Sequence, residues 1–472
     1  MAPLLCPVAR SADRWPNAPA LREGEHLWSW AEMDDAATRI AGVLGERGFK
    51  PGDRVAFALP AEADTVLLFW GCLRAGLAVC PLNMRVPPER RAELARMAGC
   101  KTTLTGGETE HVSRLAQAAS VDGTDEPPGV EDQPATIVYT SGSSGAPKAA
   151  VHTFSNHVHS ARASNQRVPL RQGDSWLLSL PLYHVSGIAI LFRCAEAGAE
   201  TIVPAKDMPL REAIAAHRPT HLSLVPAQLQ RVLDEDPAVL AHVKAVLLGG
   251  GPIPQRLLER AVAEGVPIHI TYGMTETASQ IATTPRLAPG DLPNPGALPL
   301  LPGAVRVADD GEIEVSGPTL FMGYLTEDAV ERPETDAGWF PTGDRGYLDE
   351  RGWLHVTGRR DNLFISGGEN IQPEEIEAEL ARLPEIAEAL VVPVTDKTFG
   401  ARPAAFVRAN SGAADSAAIA AALATRLPKY KIPIAFLPWP PEAGEGLKPS
   451  RRQFAEWADR RLAERGNEEG AA

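Results

Sequence analysis

A chain of 472 residues exceeds one ordinary hydrophobic core, so at least two domains are expected, and 44% hydrophobic with 22% charged residues is the composition of a soluble globular protein. The formal net charge of −14 argues against nucleic acid or an anionic membrane as the main partner, so an anionic ligand needs a local positive site. Cys6, Cys72, Cys80, Cys100 and Cys194 form neither a C-x-x-C pair nor a metal-binding spacing, which reads as free thiols in a reducing cytosol.

The opening "MAPLLCPVARSADRWP" lacks a basic stretch followed by a long apolar core, so no targeting segment is expected and the expected location is the cytoplasm. "RIAGVLGERG" (39–48) reads as a helix closed by Gly48, and "DRVAFAL" (53–59) as the strand after it. The longest apolar run, "TVLLFWGCLRAGLAVCPL" (65–82), is broken by Arg74 and by interior glycine and proline, which suits a buried helix leading into a strand better than a membrane span. "LARMAGCKTTLTGG", "AIAAHRPTHLSLVP" and "LERAVAEGVPIHITYG" repeat helix-then-strand. The alternation implies an α/β fold with layered, largely parallel sheets flanked by helices. Ligands in such folds sit at the carboxyl ends of strands, where the glycine-rich pieces after "ATIVY", "AVLL" and "IHITY" lie. The mildly low-complexity stretch 112–131 reads as a surface excursion.

The texture changes after about residue 300. "GEIEVSGPTL" and "GWFPTGDRGYLDERGWLHVTG" read as short strands with Gly and Asp turns. "RRDNLFISGGENIQPEEIEAELARLP" reads as a charged hairpin leading into a helix with Pro373 near its first turn. The remainder forms a small α+β unit. The division is expected at Gly358, giving a large domain 1–358 and a small one 359–472.

"TSGSSGAPKAAVHT" (140–153) follows the strand-like "ATIVY" and reads as a phosphate cradle: glycine lets the backbone approach closely, and hydroxyls add donors. A Walker A loop is excluded, because Gly142, Gly145 and Lys148 sit three apart and Ala149 follows the lysine. A flexible polar loop is the plainer alternative.

Together with its neighbours, this run resembles the signature of the adenylate-forming superfamily, which includes acyl-CoA synthetases, luciferases and peptide-synthetase adenylation domains. "YGMTETAS" (272–279), "PTGD" (341–344) and "GRRDNLFISGGENIQPEEIE" (358–377) are similar to its further motifs and occur in the same order. Ala149 stands where the family usually has glycine, and Asn362 where an acidic residue is common. "LLSLPLYHVSGIAILFR", "AVLLGGGPIP", "VPVTDKTFGARP" and "GLKPSRRQFAEW" resemble one branch, the o-succinylbenzoate–CoA ligases of menaquinone biosynthesis. Most of the superfamily has an adjacent Gly-Lys there, whereas Gly446-Leu447-Lys448 is similar to a subgroup of these ligases.

The resemblance implies two half-reactions, with ATP, Mg²⁺ and coenzyme A as cofactor and co-substrates. A small-molecule carboxylic acid attacks the α-phosphate of ATP, giving an acyl-AMP and pyrophosphate; the coenzyme A thiol then attacks the acyl carbon and expels AMP. Lys448 is implied as the principal catalytic residue, bridging the acid and a ribose or phosphate oxygen. Thr140, Ser141, Gly142, Ser143, Ser144, Gly145 and Lys148 would hold the β- and γ-phosphates. Thr275 would reach the α-phosphate from the ATP-binding run Tyr272, Gly273 and Met274, and Glu276 with Thr140 would hold Mg²⁺. "TET" also has the composition of a helix cap. Tyr272 would lie against adenine, with Gly249, Gly250 and Gly251 admitting base and acid. Asp344 would bind the ribose hydroxyls beside Arg359; alone, "TGD" is an ordinary turn.

His184 would line the acyl pocket, where the absence of an acidic residue in "YHVSG" argues against an amino-acid substrate. Arg193 is either a helix end reaching water, the reading the residues alone favour, or a charge aimed into the pocket, and the resemblance implies the latter, with Arg193 reading a second carboxylate and Ser223 assisting. Asp361 would be the hinge that carries Lys448 away and brings Gly367 and Gly368 towards pantetheine. Another aryl or short-chain acyl-CoA synthetase, or a ligase loading a separate carrier protein, is the alternative. A homo-oligomer is left open.

Overall fold

The computed structural model describes residues 6–106, 132–141, 147–251, 253–292, 295–326, 329–333, 338–396, 398–410, 415–440 and 451–469. The surface excursion expected at 112–131 lies outside them, as do Gly142, Ser143, Ser144, Gly145 and Lys448.

Two large sheets carry the N-terminal part. In one, the parallel strands Ile268–Met274, Ala245–Leu248, His221–Leu224, Ser175–Leu177, Glu200–Val203 and Pro19–Glu23 lie side by side in that order, with antiparallel strands at both edges. The other places Thr102–Leu104, Arg54–Phe57, Ala78–Pro81 and Pro134–Ser141 in parallel, then Pro147–Thr153 and Gly323–Leu325 antiparallel to their neighbours. The fully buried strands are continuous apolar runs, such as Ala245–Leu248, as expected for a sheet covered on both faces.

Helices pack against these sheets through apolar faces. Trp30–Glu46 starts on a capping box in which the Ser29 side chain accepts from Glu32 N and Glu32 reaches back to Ser29 N; Met33, Ala37, Ile40 and Leu44 form its buried stripe. The run 65–82 is the buried helix and strand expected, Ala63–Arg74 and Ala78–Pro81. Among the described residues no helix is long and apolar enough to cross a membrane, and the five cysteines are free thiols.

A four-stranded antiparallel sheet, Val305–Val307, Glu312–Val315, Phe340–Leu348 and Leu354–Arg359, follows. The turn Arg360–Asn362 leads into the hairpin Phe364–Ser366 and Glu369–Ile371, then the helix Pro373–Leu380 with proline at its start. The small C-terminal part folds around Ile386–Asp396, Gly400–Ala409 and Phe436–Pro438, with its own apolar clusters. Gly367 and Gly368 form the hairpin turn with φ of +59° and +91°. Positive φ at both central residues is what a tight two-residue hairpin demands. The glycine pair therefore has a backbone reason beside any role towards coenzyme A.

Candidate active site

Three sheets converge on one region. The hairpin Pro134–Ser141 and Pro147–Thr153 sets Thr140 opposite Lys148, with Ile137 and Val138 buried beneath. On its far side Tyr324 pairs with Ala150, and the exposed Lys148 Nζ stands 4.9 Å over the Tyr324 ring. The Tyr324 hydroxyl donates to Glu276 Oε1 at 2.6 Å, and Glu276 is only 6% exposed. Burial and the Glu276 carboxylate push the Tyr324 phenol up, so it remains a donor at neutral pH. Tyr324 thus joins the lysine of the phosphate loop to the carboxylate of the second motif. In the sequence it was one tyrosine in a short strand, with no local pattern to single it out.

The second motif leaves the strand Ile268–Met274 through the 3₁₀ turn Thr275–Thr277 and reverses into Ser279–Thr283. The capping composition serves only this single turn: the Thr277 hydroxyl accepts from Met274 N at 3.2 Å, whereas Glu276 bonds to Tyr324. The reversal is tight. Ala278 and Ser279 hold φ of +50° and +107°, sparsely populated values for residues with a Cβ, of the kind that cluster at functional sites. A Cβ at Gly273 would lie 1.8 Å from Ser279 O, so only glycine fits there.

Asp344 and Arg359 are cross-strand partners, and Arg359 Nη1 meets Asp344 Oδ1 at 3.0 Å. The Tyr272 hydroxyl donates to Asp344 Oδ2 at 2.7 Å. Tyr272 and Arg359 thus hold one Asp344 carboxylate oxygen each. Asp361, in the turn Arg360–Asn362, is 3.7 Å from Arg359 Nη2. Its neighbour Arg360 pairs with Glu312, whose other oxygen accepts from Gly343 N at 3.0 Å. The segment expected to be a hinge is thus tied to the four-stranded sheet by ion pairs.

The structure corrects the favoured reading of Arg193. It is not a helix end reaching water. It lies inside Val185–Ala197, which ends at Gly198, and it is 2% exposed. Its neighbours Leu191, Phe192, Cys194 and Ala195 are buried, the helix meets water only at the part-buried Glu196 and Ala197, and the guanidinium is enclosed. It packs 5.3 Å over the Trp176 ring and donates from Nη2 to Ser279 Oγ at 3.1 Å, while Nε is buried without a hydrogen-bond partner. Burial pulls its pKa down to about 10, which leaves it charged at neutral pH. Ser279 and Trp176 were not picked out from the sequence; neither carries a motif of its own.

Ser223 and Gly249 stand at the carboxyl ends of adjacent parallel strands, with Gly249 N donating to Leu224 O at 3.3 Å. Ser223 Oγ is buried and unpartnered. Gly250 and Gly251 follow, exposed. His184 is exposed at the N-terminal edge of the helix that carries Arg193, its ring 4.6 Å from Tyr183. Side-chain contacts therefore tie together Lys148 with Glu276, Tyr272 with Asp344 and Arg359, and Arg193 with the second motif. His184, Gly367 and Gly368 share no such contact with them.

Tyr324→Phe removes the donor to Glu276 and keeps the ring under Lys148. A hydrogen bond to a charged group contributes about 1.5–3 kcal/mol. The Mg²⁺ concentration for half-maximal pyrophosphate exchange is expected to rise about 10-fold with the KM for the acid unchanged; an unchanged Mg²⁺ dependence would remove Tyr324 from the site.

Residues 8–325 match the family model of AMP-binding enzymes, and residues 375–440 match that of the AMP-binding enzyme C-terminal domain. The chain belongs to the AMP-binding enzyme family. Its relatives include the 2-succinylbenzoate–CoA ligase of Salmonella typhimurium, 37% identical over 93% of this chain and 95% of that protein. The ligase of the same name from Bacillus licheniformis is 35% identical over 91% of this chain and 94% of its own. The solved o-succinylbenzoate CoA synthetase (MenE) from Bacillus subtilis, in complex with the acyl-adenylate intermediate OSB-AMP, is similar with a TM-score of 0.81 and 32% identity, covering 95% of this chain and 97% of that one.

Proposed function

We propose that this chain is an ATP- and Mg²⁺-dependent acid–thiol ligase that activates o-succinylbenzoate as its acyl-adenylate and transfers the acyl group to coenzyme A, giving o-succinylbenzoyl-CoA, AMP and pyrophosphate. The observation that carries the choice of acid is Arg193, a fully buried guanidinium with an unpartnered Nε behind the region where the resemblance puts the acyl group. A substrate with a second carboxylate supplies the missing partner in a charge-assisted pair.

Thr275 and the phosphate loop hold the triphosphate. Glu276 and Thr140 would hold Mg²⁺; a buried carboxylate with one oxygen braced by Tyr324 is an oxygen ligand of the kind this hard cation takes. The ion, when bound, supplies positive charge to the phosphates. Asp344 takes the ribose hydroxyls, Tyr272 borders the base, and His184 faces the reacting carboxylate. Lys448 bridges the acid and a ribose or phosphate oxygen as the two anions meet. Residues 1–358 form the ATP- and acid-binding part and 359–472 the mobile part; the four-stranded sheet ends at Arg359, beside this division. A cytoplasmic setting belongs to the same proposal, supported by the five free thiols.

The test is acid-dependent formation of coenzyme A thioesters across o-succinylbenzoate, benzoate, fatty acids and amino acids. o-Succinylbenzoate is expected to give the highest kcat/KM; preference for an acid with a single carboxylate would overturn the choice of substrate. Asp361→Pro is expected to stiffen the turn and impair rotation of the small part. Pyrophosphate release in a single turnover should then survive better than thioester synthesis. Wild-type rates in both steps would remove Asp361 from the hinge.

A further inference from the structure

Beneath the phosphate-loop hairpin lies a buried polar chain that no step of the proposed reaction uses. Thr136 on Pro134–Ser141, His152 on Pro147–Thr153 and His157 on the helix Phe154–Arg167 are each 0–1% exposed. Thr136 Oγ1 is 3.2 Å from His152 Nδ1 and 2.7 Å from His157 Nε2. At the other end His152 Nε2 is 2.6 Å from the carbonyl oxygen of Thr275.

Elementary donor–acceptor rules assign every proton in this chain. A carbonyl only accepts, so His152 Nε2 carries the hydrogen. Burial holds the ring neutral, pulling its pKa down to about 4, so Nδ1 is an acceptor and Thr136 donates to it. The Thr136 oxygen then accepts from His157 Nε2–H. That leaves His157 Nδ1 as a bare lone pair, and Nδ1 is indeed buried without a hydrogen-bond partner. His157 stacks on Phe192 at 4.8 Å, which orients its ring, and burial beside His152 pushes its pKa well down too.

The chain ends on the residue that precedes Glu276. Other main-chain atoms of this turn are held as well: Phe321 N donates to Glu276 O at 2.8 Å, and Ser160 Oγ to Ala278 O at 2.8 Å. Among the described residues the His152 bond ties the turn directly, through a side chain, to the strand that leaves the phosphate loop, and Tyr324 adds an indirect link from Glu276 to Lys148. That loop and this turn are carried by different sheets, and their separation must be held for the two to act on one triphosphate.

We propose that His152, fixed in its Nε2–H tautomer by Thr136 and His157, is a positioning residue for the adenylation step, setting the Thr275–Glu276 turn against the phosphate-loop hairpin. The inference rests on the adenylating reading of this site. It concerns the first half-reaction alone, because acyl transfer from a bound adenylate no longer needs the triphosphate aligned.

Two measurements test it. The first is independent of any acid: the imidazole ¹⁵N spectrum of the whole protein at pH 7, with the His152 signals identified by their loss in His152→Gln. A protonated Nε2 and an unprotonated Nδ1 are expected; the opposite tautomer or an imidazolium overturns the proposal. The second compares variants in ATP–pyrophosphate exchange and in thioester formation from supplied acyl-AMP. His152→Ala is expected to slow exchange by about 10- to 100-fold, the scale for misplaced reacting groups, and to leave acyl transfer within about 2-fold. His152→Gln, whose amide offers a donor and an acceptor at similar reach, is expected to restore exchange to within about 3-fold of wild type. Equal losses in both half-reactions, or no rescue by glutamine in a protein with an unchanged melting temperature, overturn it. If His152→Ala fails to fold, Thr136→Val replaces it: exchange is expected to fall with acyl transfer spared, and unchanged exchange overturns the proposal. Absence of exchange in the wild type with every acid, alongside the expected tautomer, would instead overturn the adenylating reading.

Discussion

Lys448→Ala is expected to abolish adenylate formation while largely sparing thioester formation from supplied acyl-AMP. The first half-reaction drives a carboxylate into a triphosphate, and negative charge accumulates between them. A fixed ammonium at that point stabilises the transition state more than the separated reactants, and losing one such preorganised group commonly costs on the order of 100-fold or more, about 2.7 kcal/mol upward. The second half-reaction starts from an adenylate whose acyl carbon is already activated, and it has no need of this charge. Lys448 lies in "GEGLKPSRR", three residues before Arg451. Arg451 is bound to Glu374 Oε1 at 3.2 Å and to Glu377, both on the helix Pro373–Leu380. The chain downstream of the lysine is thereby fastened to the element that follows the proposed hinge, so a turn about Asp361 moves both together. Pyrophosphate exchange and single-turnover acyl transfer, measured on the same preparation, separate the two half-reactions. Equal loss in both would remove Lys448 from its assigned role.

What the sequence showed and what it hid follow from one physical distinction. Features written in consecutive residues were legible. Helix-then-strand units such as 255–274 announced parallel sheets, because a buried parallel strand is a short apolar run and the helix before it is amphipathic. The strand running into the Gly/Ser loop, the "TGD" turn and the hairpin that holds Gly367 and Gly368 were legible because each needs particular residues at adjacent positions. Contacts between distant segments were not. Tyr324 reaches Glu276 across 48 residues and His152 reaches Thr275 across 123; Tyr324 stands in no local pattern, and His152, although inside the run 140–153, has nothing beside it in sequence that names its partner. For the same reason the residues alone favoured a water-facing helix end for Arg193, and only the resemblance pointed it into the pocket. A charged residue after "IAILF" most often marks the edge of a buried face, and only the fold around it, with Trp176 on one side and Ser279 on the other, shows that it is enclosed.

That enclosure makes Arg193 the sharpest test of the substrate. o-Succinylbenzoate carries two carboxylates, of which the succinyl one reacts and the ring one must be recognised. An isolated buried charge is costly, and replacing buried ionic groups by apolar residues of similar volume is often neutral or stabilising by about 1–4 kcal/mol. A protein that keeps Arg193 with, among the described residues, a serine hydroxyl and an indole face as its side-chain partners gives up stability at this position unless a ligand supplies the counter-charge. Arg193→Met, close in length and uncharged, is therefore expected to melt at or above the wild-type temperature without ligand. Its kcat/KM for o-succinylbenzoate is expected to fall by about 2–4 kcal/mol, the scale for breaking a desolvated charged pair. The drop should be much smaller for 4-oxo-4-phenylbutanoate, the same molecule without its ring carboxylate, because that acid never engages the guanidinium. The opposite signs matter: a purely structural arginine would lower the melting temperature when removed and would affect both acids alike. Equal losses for the two acids would leave the assignment of this acid resting on resemblance to the ligases alone, and would place Arg193 with Trp176 and Ser279 as part of the scaffold behind the second motif.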